Sequence, residues 1–271
     1  MESKLEKLKK LKEQVNLQVK GLDNYPKNST VMMFVNHSCL LDIFYLPMIL
    51  PEDIASAVSA RLMYKNEIQR QNVIEQYLNA IPIEAHGTAF YKEACLQTAT
   101  SLLEKGISMS IFPEGIYIPD KNKIYRGRTG GTRILFNAIL SNQQITLIPV
   151  AIKYPNGLDD IDNYSNFQNS VSISLLEPVD YQKWFERFMN SQDYASRNAC
   201  LHAVTDQAMT SIAKELGQEY TEDYFKLDPK DMILPNGNLI SDEESLNPLI
   251  QKEYARILGD RAKVICKRFN K

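Results

Sequence analysis

The sequence predicts an α/β protein: a central sheet, mostly parallel or mixed, with helices on both faces and a helical C-terminal extension. Short apolar segments of strand length alternate with segments of helical period as far as Pro178. Beyond Pro178 the segments become polar with a helical period. The length of 271 residues suits one large domain or one domain with an appendage. We therefore divide the chain into an amphipathic N-terminal helix at 1–20, an α/β core at 21–178 and a mainly helical extension at 179–271, packed on the core.

Residues 3–20 have the spacing of an amphipathic helix. Its apolar positions recur every three or four residues: Leu5, Leu8, Leu11, Val15, Val19 and Leu22. Lysines fill many of the other positions. Two interpretations stay open, because both use this alternation. The helix packs on the domain with a solvated basic face, or it is an interfacial helix attracted to anionic lipid.

Within the core, short β-branched runs predict strands and longer periodic runs predict helices. Strands are predicted at 31–35, 54–58, 107–112, 145–152 and 171–176, and helices at 38–50, 67–78, 88–104 and 132–140. Pro51 ends the first of these helices, and Gly106 lies where a C-terminal cap is expected after the third. The last predicted strand alternates apolar residues with serine, which is typical of a half-exposed strand.

The C-terminal extension contains polar helical stretches at 181–217 and 247–269. Between them, residues 226–244 are rich in Asp, Pro, Asn and Gly, a composition that favours turns. We expect this segment to be a long loop or a cover over the site.

Charge and composition exclude several classes of protein. The net charge is −2 and no basic stripe with interleaved aromatic residues is present, so we expect no nucleic-acid partner. No P-loop or dinucleotide-binding glycine motif occurs. The four cysteines are scattered, without a CxxC pair or a histidine at metal spacing. No metal site and no bound cofactor are predicted.

The same features predict where the protein works. Scattered cysteines without a disulfide framework favour a reducing compartment. The N-terminus lacks the apolar stretch of a signal peptide, and no apolar run reaches the roughly 20 residues that cross a bilayer. We expect a cytoplasmic protein, either soluble or peripheral on the cytoplasmic face of the membrane.

A histidine and an aspartate follow the first predicted strand at a spacing suited to acid–base chemistry. The run at 34–42 reads FVNHSCLLD. A strand-to-helix turn can bring these two residues together, so that Asp42 binds one ring nitrogen of His37 and the other can accept a proton. Taken singly, His37 could be a half-buried structural histidine and Asp42 a helix cap.

A second run, IFPEG at 111–115, follows another predicted strand. It places the carboxylate of Glu114 at a strand end, where α/β sheets bind their ligands. The alternative is a plain turn, because proline and glycine favour turns. Two such runs, each directly after a strand, favour a functional site.

With these runs, the chain resembles the glycerolipid (lysophospholipid) acyltransferase superfamily, and is similar to 1-acylglycerol-3-phosphate acyltransferases within it. Four blocks of that superfamily can be placed: Asn36-His37 with Asp42, a weaker match at 80–85, Phe112 to Gly115, and 148–152. The approach at 20–26 is also similar. The resemblance extends over about residues 18–155.

The resemblance implies a reaction. His37, oriented by Asp42, deprotonates a hydroxyl of a lysophospholipid-like acceptor, which attacks an acyl thioester directly. The donor is then acyl-CoA or acyl-ACP as a co-substrate, and acyl carrier protein is a candidate partner beside the lipid acceptor and an anionic membrane. Backbone N–H groups at 36–39 are candidate donors to the oxyanion. No nucleophilic side chain is required, so Ser38 and Cys39 need not be catalytic.

The predicted catalytic residues are His37 and Asp42. The residues expected to bind substrate are Asn36, Ser38, Arg61, Phe112, Pro113, Glu114, Gly115, Arg126, Arg128 and Gly131. By analogy with the family, Glu114 shapes the acceptor site by binding an acceptor hydroxyl or a neighbouring arginine; its alternative role is to hold the turn. Arg61 lies where many relatives carry a cation.

A basic stretch follows the second run and contains Lys121, Lys123, Arg126, Arg128 and Arg133. Arginine matches phosphate with paired donors, so the stretch could recognise a phosphate on the acceptor, the donor or the membrane. The alternative is a solvated loop face. Arg128 precedes two glycines and is similar to a family segment that carries a basic residue before a glycine, which favours a functional role for it.

One block departs from the family. Phosphoglycerol-using relatives place an arginine after an apolar–acidic pair, whereas Ile83-Glu84 is followed here by Ala85-His86. Three functions therefore compete: acyl transfer to a lysophospholipid such as a lysophosphatidate; the same chemistry on a non-phosphate acceptor such as a lipoamino acid, a glycolipid or another metabolite; and a catalytically silent lipid-binding relative. The joint presence of both predicted catalytic residues and Glu114 argues against the last.

Overall fold

A seven-stranded β-sheet forms the centre of the protein in a computed structural model. The structure describes residues 4–50, 52–59, 74, 77–83, 89–116, 118, 122–141, 144–155, 157, 170–225 and 248–269. The strands are β1 Asn16–Lys20, β2 Thr30–Val35, β3 Ala55–Ser59, β4 Asn79–Ile83, β5 Met109–Ile111, β6 Lys123–Ile124, β7 Ile145–Lys153, β8 Ser170–Leu175 and β9 Glu219–Tyr220. The helices are α1 Lys4–Lys12, α2 Asp42–Ile49, α3 Ala89–Glu104, α4 Gly130–Leu140, α5 Gln182–Asn190, α6 Tyr194–Leu216 and α7 Pro248–Arg268.

The strand order in the main sheet is β1-β8-β7-β2-β5-β3-β4. Neighbouring strands are parallel except β7 and β8, which are antiparallel. Strand β2 lies between β7 and β5 and runs in the same direction, so the C-terminal ends of these three strands share one edge. The two-residue strands β6 and β9 form a separate parallel pair. The predicted α/β class with a mostly parallel or mixed sheet is confirmed.

Apolar residues fill both faces of this sheet. In β2, Val31, Met33 and Val35 belong to one buried cluster, which α1 and α2 cover. Met32 and Phe34 belong to a second cluster, which α3, α4 and α6 cover. A strand that is buried on both faces reads as a continuous apolar run, which is how β2 appears in the sequence. Helices on both faces were expected, and the prediction is confirmed.

Residues 16–20 show that the prediction of one helix at 3–20 is wrong. Helix α1 ends at Lys12, and β1 forms the edge of the sheet in parallel with β8. Leu17 and Val19 pack against the first cluster while their neighbours are exposed, which is the period of two that a strand shows. Over so short a segment the apolar spacing fits a helix or a strand, and pairing with the distant β8 decides between them.

Leu8 and Leu11 of α1 face the protein. Leu8 is 1% exposed, and Leu11 packs against the same cluster that contains α2. Lys9 and Lys12 on the other side are exposed. The burial of the apolar face favours the interpretation of α1 as a packed helix.

The other predicted elements of the core correspond to observed ones with ends shifted by a few residues. The sequence does not predict β4, because Pro82 argues against a strand; as the edge strand of the sheet, β4 accommodates a proline. It does not predict the pair β6 and β9, which is too short to show a period. The predicted helix at 67–78 lies outside the described residues except at 74, 77 and 78, and the predicted loop at 226–244 lies outside them entirely.

The C-terminal helices pack on the rest of the fold. Helix α6 buries Val204 and Ala208 in the second cluster and packs on β7, while α7 packs on α3. Asp193 caps the start of α6 by accepting a hydrogen bond from the Ser196 N–H at 2.7 Å, and Gly217 ends it with a φ of 69°. In the part of the chain that the structure describes, no helix is long and apolar enough to cross a bilayer.

Candidate active site

Three neighbouring strands end at the same edge of the sheet, and each is followed by a polar residue. His37 follows β2, Glu114 follows β5 and Tyr154 follows β7. The carboxyl ends of parallel strands form the usual ligand-binding edge of an α/β sheet. The two runs that the sequence singles out therefore meet in space.

His37 and Asp42 form a hydrogen-bonded pair at this edge. The Nδ1 atom of His37 lies 3.0 Å from Oδ2 of Asp42; the aspartate side chain is fully buried and that of the histidine is 11% exposed. The imidazole also stacks on Phe112, with ring centroids 4.3 Å apart and an interplanar angle of 29°. With Nδ1 bound to Asp42, proton transfer to or from a substrate falls to Nε2.

The loop before α2 wraps around the Asp42 carboxylate. The backbone N–H groups of Ser38 and Cys39 donate to Oδ2 at 2.6 and 2.9 Å, and the hydroxyl of Tyr154 donates to Oδ1. Because residues 38–41 form this loop, α2 begins at Asp42 and not at Ser38 as predicted. A carboxylate at the first residue of a helix also faces the positive end of the helix dipole.

These contacts correct the expected oxyanion site at residues 36–39. The amides of Ser38 and Cys39 are bound to Asp42, and the amide of His37 donates to Oε2 of Glu114 at 3.0 Å. Three of the four N–H groups expected to hold an oxyanion therefore already serve buried carboxylates.

Glu114 connects the His37 loop to the basic segment. It is 4% exposed; Oε2 accepts the His37 N–H, and Oε1 accepts the Tyr125 N–H at 3.2 Å. Burial raises the pKa of Glu114 to about 8; the two backbone hydrogen bonds oppose this rise and the charge of Asp42 adds to it. Its described partners are backbone amides and no arginine is among them, which favours the alternative role of holding the turn over the expected contact with an acceptor hydroxyl or an arginine.

Glu114→Gln is expected to flatten the pH dependence of the free energy of unfolding. The pKa of Glu114 rises from 4.5 to about 8 on folding, so between these values the folded protein holds a proton that the unfolded chain has lost. The stability that this proton supplies is fully present below about pH 4.5 and is lost as the pH rises towards 8. Urea unfolding of the wild type and the variant should therefore give a stability difference that changes across this range.

Glu93→Gln is the matched control, since Glu93 is exposed on α3. It should leave the pH dependence of unfolding as in the wild type. A difference between Glu114→Gln and the wild type that stays constant with pH would contradict the proton uptake by Glu114.

Asn36 and Ser38, both expected to bind substrate, are used by the fold. Asn36 is 1% exposed; its Oδ1 accepts the Ile152 N–H at 2.7 Å and its Nδ2 donates to the Ile152 carbonyl at 3.0 Å. The Asn36 side chain thus adds two hydrogen bonds between the end of β2 and the backbone of β7. The Ser38 hydroxyl lies 3.4 Å from Nδ2 of Asn36, and its backbone serves Asp42.

Three further residues from the expected substrate site shape the backbone. Gly115 has a φ of 80° and donates its N–H to the Phe112 carbonyl at 3.0 Å, which closes the turn. The Pro113 carbonyl accepts the Arg128 N–H at 2.7 Å. A Cβ at Gly131 would lie 2.7 Å from two ring atoms of Phe34, so glycine there allows α4 to approach β2.

Arg126 is paired inside the protein. Its Nε and Nη2 donate to the two carboxylate oxygens of Asp206 at 3.1 and 2.6 Å, and Tyr220 donates to the same carboxylate at 2.6 Å. This bidentate pair joins the basic segment to α6 and balances the charge of Arg126. This pair favours a structural role for Arg126 over the expected binding of substrate.

The environment of Arg128 differs from that of Arg126. Its backbone is held beside the Glu114 turn by the Pro113 carbonyl, and its guanidinium carbon lies 5.8 Å from the ring centre of Tyr224. Its Nε is buried, and among the described residues it has no hydrogen-bond partner. Arg61, Lys121 and the departing segment at 84–86 lie outside the described residues.

The sequence does not single out Tyr154 or Asp206. Tyr154 lies two residues after the predicted strand at 145–152, as His37 lies two residues after the predicted strand at 31–35, so a survey of the polar side chains within two residues of each strand end would include it. Asp206 lies 80 residues from its partner Arg126, in the middle of a helix, and no local pattern indicates the pair.

The environment of Cys39 disfavours its thiolate, which is the nucleophilic form. Burial raises the pKa of its thiol, and the charge of Asp42 raises it further. Its Sγ lies 2.9 Å from the Tyr154 hydroxyl. The structural interpretation of this cysteine is therefore favoured. In the ranges that the structure describes, no three or more His, Cys, Asp or Glu side chains form a group that could hold a metal.

The structure thus brings a hydrogen-bonded histidine–aspartate pair to the strand ends of an α/β sheet, an arrangement suited to acid–base chemistry. The chain belongs to the Acyltransferase family, whose model matches residues 16–153, and the protein is an acyltransferase. Among solved structures it is similar to the 1-acyl-sn-glycerophosphate (LPA) acyltransferase PlsC from Thermotoga maritima, with 19% identity and a TM-score of 0.47. That match covers 77% of this chain and 79% of the other. No curated protein matches the chain.

Proposed function

We propose that the protein transfers a fatty acyl group from an acyl thioester, acyl-CoA or acyl-ACP, to a hydroxyl of a lysophospholipid-like acceptor. His37 is the general base and Asp42 orients it. The observation that carries this proposal is the 3.0 Å contact between His37 Nδ1 and the buried Asp42, in a chain of the Acyltransferase family. This contact supports the tautomer in which Nε2 can accept a proton.

The reaction balances without a further reactant. The acceptor hydroxyl gives its proton to Nε2 of His37 as its oxygen bonds to the thioester carbonyl carbon. The carbon–sulfur bond then breaks, and the leaving thiolate takes the proton back from the imidazole. An ester and a free thiol are formed, and His37 is regenerated. The Asp42 carboxylate stabilises the imidazolium that exists between the two proton transfers.

We favour direct transfer over an acyl-enzyme. The Cys39 thiol is held protonated by burial and by the nearby Asp42, and it points into the Tyr154 contact. The Ser38 hydroxyl is the other candidate nucleophile, and its one hydrogen bond in the described structure is to Asn36. Neither side chain is hydrogen-bonded to His37 among the described contacts, so neither is activated as a nucleophile would be.

Arg128 supports an acceptor that carries a phosphate. A buried donor without a partner costs about 1–3 kcal/mol, and an acceptor oxygen beside Nε would remove that cost. The backbone of Arg128 is held next to the Glu114 turn by the Pro113 carbonyl, and its guanidinium carbon lies 5.8 Å from the ring centre of Tyr224. Arg126 is occupied by Asp206, which leaves Arg128 as our choice of phosphate ligand within the described basic segment.

We further propose that the enzyme meets its lipid acceptor as a peripheral protein on the cytoplasmic face of an anionic membrane. Lys9 and Lys12 are exposed on α1, while Leu8 on the other side is buried. Such contact is electrostatic and does not require insertion of the protein into the bilayer. Each basic residue near the membrane surface contributes about 1 kcal/mol to the binding free energy, and salt weakens the attraction.

An acceptor screen tests the proposed function. The full chain is incubated with radiolabelled acyl-CoA or acyl-ACP and with lysophosphatidate or a monoacylglycerol of the same chain length, and products are identified by mass spectrometry. Labelled phosphatidate supports the proposal. Label transferred only to the monoacylglycerol, a lipoamino acid or a glycolipid would favour the non-phosphate acceptor. Binding of lipid without any product would favour the silent relative.

Arg128→Ala is expected to lower kcat/KM for lysophosphatidate by about ten- to a hundredfold, mainly through KM. A decrease of this magnitude is what the loss of one charge-assisted hydrogen bond to phosphate should cause. The matched monoacylglycerol has no phosphate, so its kcat/KM should change far less. Steady-state kinetics with both acceptors measure the difference.

Arg197→Ala is the matched control, because Arg197 is exposed and contacts Ser191 and Phe188 and no residue of the site. It should leave both kcat/KM values unchanged. If Arg128→Ala weakened both acceptors equally, Arg128 would bind the donor or hold the loop.

A further inference from the structure

The Tyr154 hydroxyl binds the carboxylate oxygen of Asp42 that His37 does not bind. His37 Nδ1 lies 3.0 Å from Oδ2, whereas the Tyr154 hydroxyl donates to Oδ1. Both carboxylate oxygens are therefore bound, one by the base and one by the tyrosine. Tyr154 comes directly after β7 and one residue beyond the segment that the family model matches.

We propose that Tyr154 is a positioning residue of the acyl-transfer site, because its hydroxyl fixes the orientation of Asp42 and shares its negative charge. This inference rests on the proposed function, in which His37 is the base. Tyr154 acts through Asp42 and is not assigned any contact with substrate.

The remaining partners of Oδ1 cannot replace Tyr154. The other described donor is the Cys39 thiol, whose Sγ lies 3.7 Å away and is a weak donor. The thiol also lies 2.9 Å from the Tyr154 oxygen, and since the tyrosine proton is directed at Asp42, the thiol is the donor in that contact. Without the hydroxyl, Oδ1 would be left buried, with the distant thiol as its one described donor.

The other titratable groups described around the pair are Cys39, Glu114 and Tyr45; the pKa of the buried Tyr45 phenol is raised by burial and then by the charges of Cys39 and Asp42. Of these three, the Cys39 thiol alone has a described hydrogen bond to the Asp42 carboxylate. Cys39 is kept as a thiol, and Glu114 binds the backbone of residues 37 and 125 and not the carboxylate. The ring of Tyr45 packs edge-on to that of Tyr154 at 6.3 Å. Burial, and then the charge of Asp42, raise the pKa of Tyr154 well above its ordinary value, so it remains a donor at every pH at which the enzyme is assayed.

Tyr154→Phe keeps the ring and removes the donor. The negative charge of Asp42 is then less neutralised, so it attracts the imidazolium form of His37 more strongly. We expect the acid limb of the kcat/KM profile to move upward by about half a pH unit to one unit. The plateau kcat should fall about tenfold, because one hydrogen bond to a charged group is lost.

Tyr181→Phe separates this role from loss of stability. The Tyr181 hydroxyl donates to the carbonyl of Ile145, so it binds β7 at the end opposite to the site. Both variants lose a hydroxyl that is hydrogen-bonded within the fold, and both should lower the melting temperature. Tyr154→Phe alone should shift the pH profile and kcat.

A second measurement does not need turnover. The chain has three histidines, so the His37 imidazole can be followed by NMR in isotope-labelled protein and assigned with His37→Ala. Its titration midpoint should rise in Tyr154→Phe and stay unchanged in Tyr181→Phe. With 3-fluorotyrosine in place of Tyr154 the donor is stronger and the volume almost unchanged, so the midpoint should fall.

Opposite shifts from the two changes at Tyr154 establish the positioning role. Midpoints that match the wild type in both Tyr154→Phe and the fluorotyrosine protein would overturn it; if Tyr154→Phe failed to fold, the fluorotyrosine protein alone would decide. Absence of acyl transfer by the wild type in the acceptor screen would instead reject the proposed function, and the NMR shifts would still report whether Tyr154 controls Asp42.

Discussion

His37→Ala is expected to lower kcat for acyl transfer by about 10²- to 10⁴-fold, because the acceptor hydroxyl loses its general base. The ring of His37 is bound to the buried Asp42 carboxylate on one nitrogen and is stacked on Phe112. Single-turnover kinetics with labelled acyl thioester measure the loss directly at the chemical step.

The fold should survive this change. The backbone contacts of His37 stay in place in this variant, since its N–H binds Glu114 and its carbonyl accepts the Ile118 N–H at 2.7 Å. Circular dichroism and thermal unfolding close to those of the wild type are therefore expected. A folded His37→Ala protein that turns over at nearly the normal rate would reject the mechanism.

Asp42→Asn is the second large effect, a loss in kcat on the order of 10² or more. The amide oxygen can stay among the donors that surround Oδ2, while the amide nitrogen donates to Tyr154, whose hydroxyl can turn from donor to acceptor. The shape of the site is thus preserved, but the charge that stabilises the imidazolium is removed. The kinetic loss should exceed what any change in stability explains.

Asp180→Asn is the matched control for that variant. Asp180 is exposed and accepts the Gln182 N–H at 3.1 Å near the start of α5, a contact that asparagine can keep. Acyl-transfer rates of Asp180→Asn should equal those of the wild type. Normal turnover by Asp42→Asn would mean that His37 needs no buried charge beside it.

The sequence predicts the His37–Asp42 pair because the pairing is local. Both residues lie in one strand-to-helix connection, so their spacing alone brings them together, and the structure places them 3.0 Å apart. Glu114 could be identified in the same way, but its role could not. Its partners are backbone N–H groups of residues 37 and 125, and a hydrogen bond to a backbone amide cannot be inferred from the types of residue in the sequence.

Contacts between residues that are distant in the sequence account for most of the features that local patterns do not predict. Arg126 reads as a candidate phosphate ligand until Asp206, on a helix far along the chain, is seen to bind it at 2.6 Å. In the same way β1 reads as part of a helix until its partner strand is known. In each case the deciding partner is supplied by the fold, and local spacing fits both interpretations.

The pairing of β1 with β8 constrains the order in which segments of the chain can fold during synthesis. Asn16 is in register with Ser170, and their side chains are hydrogen-bonded across a separation of 154 residues. In the main sheet β1 pairs with β8 alone, so this early segment has no strand partner until the ribosome has released residues 170–175. Closing so long a loop is slow, and an unpaired β-forming segment is open to wrong partners in the meantime. The N-terminal segment should therefore be among the last to gain protection from amide exchange in stalled nascent chains of increasing length.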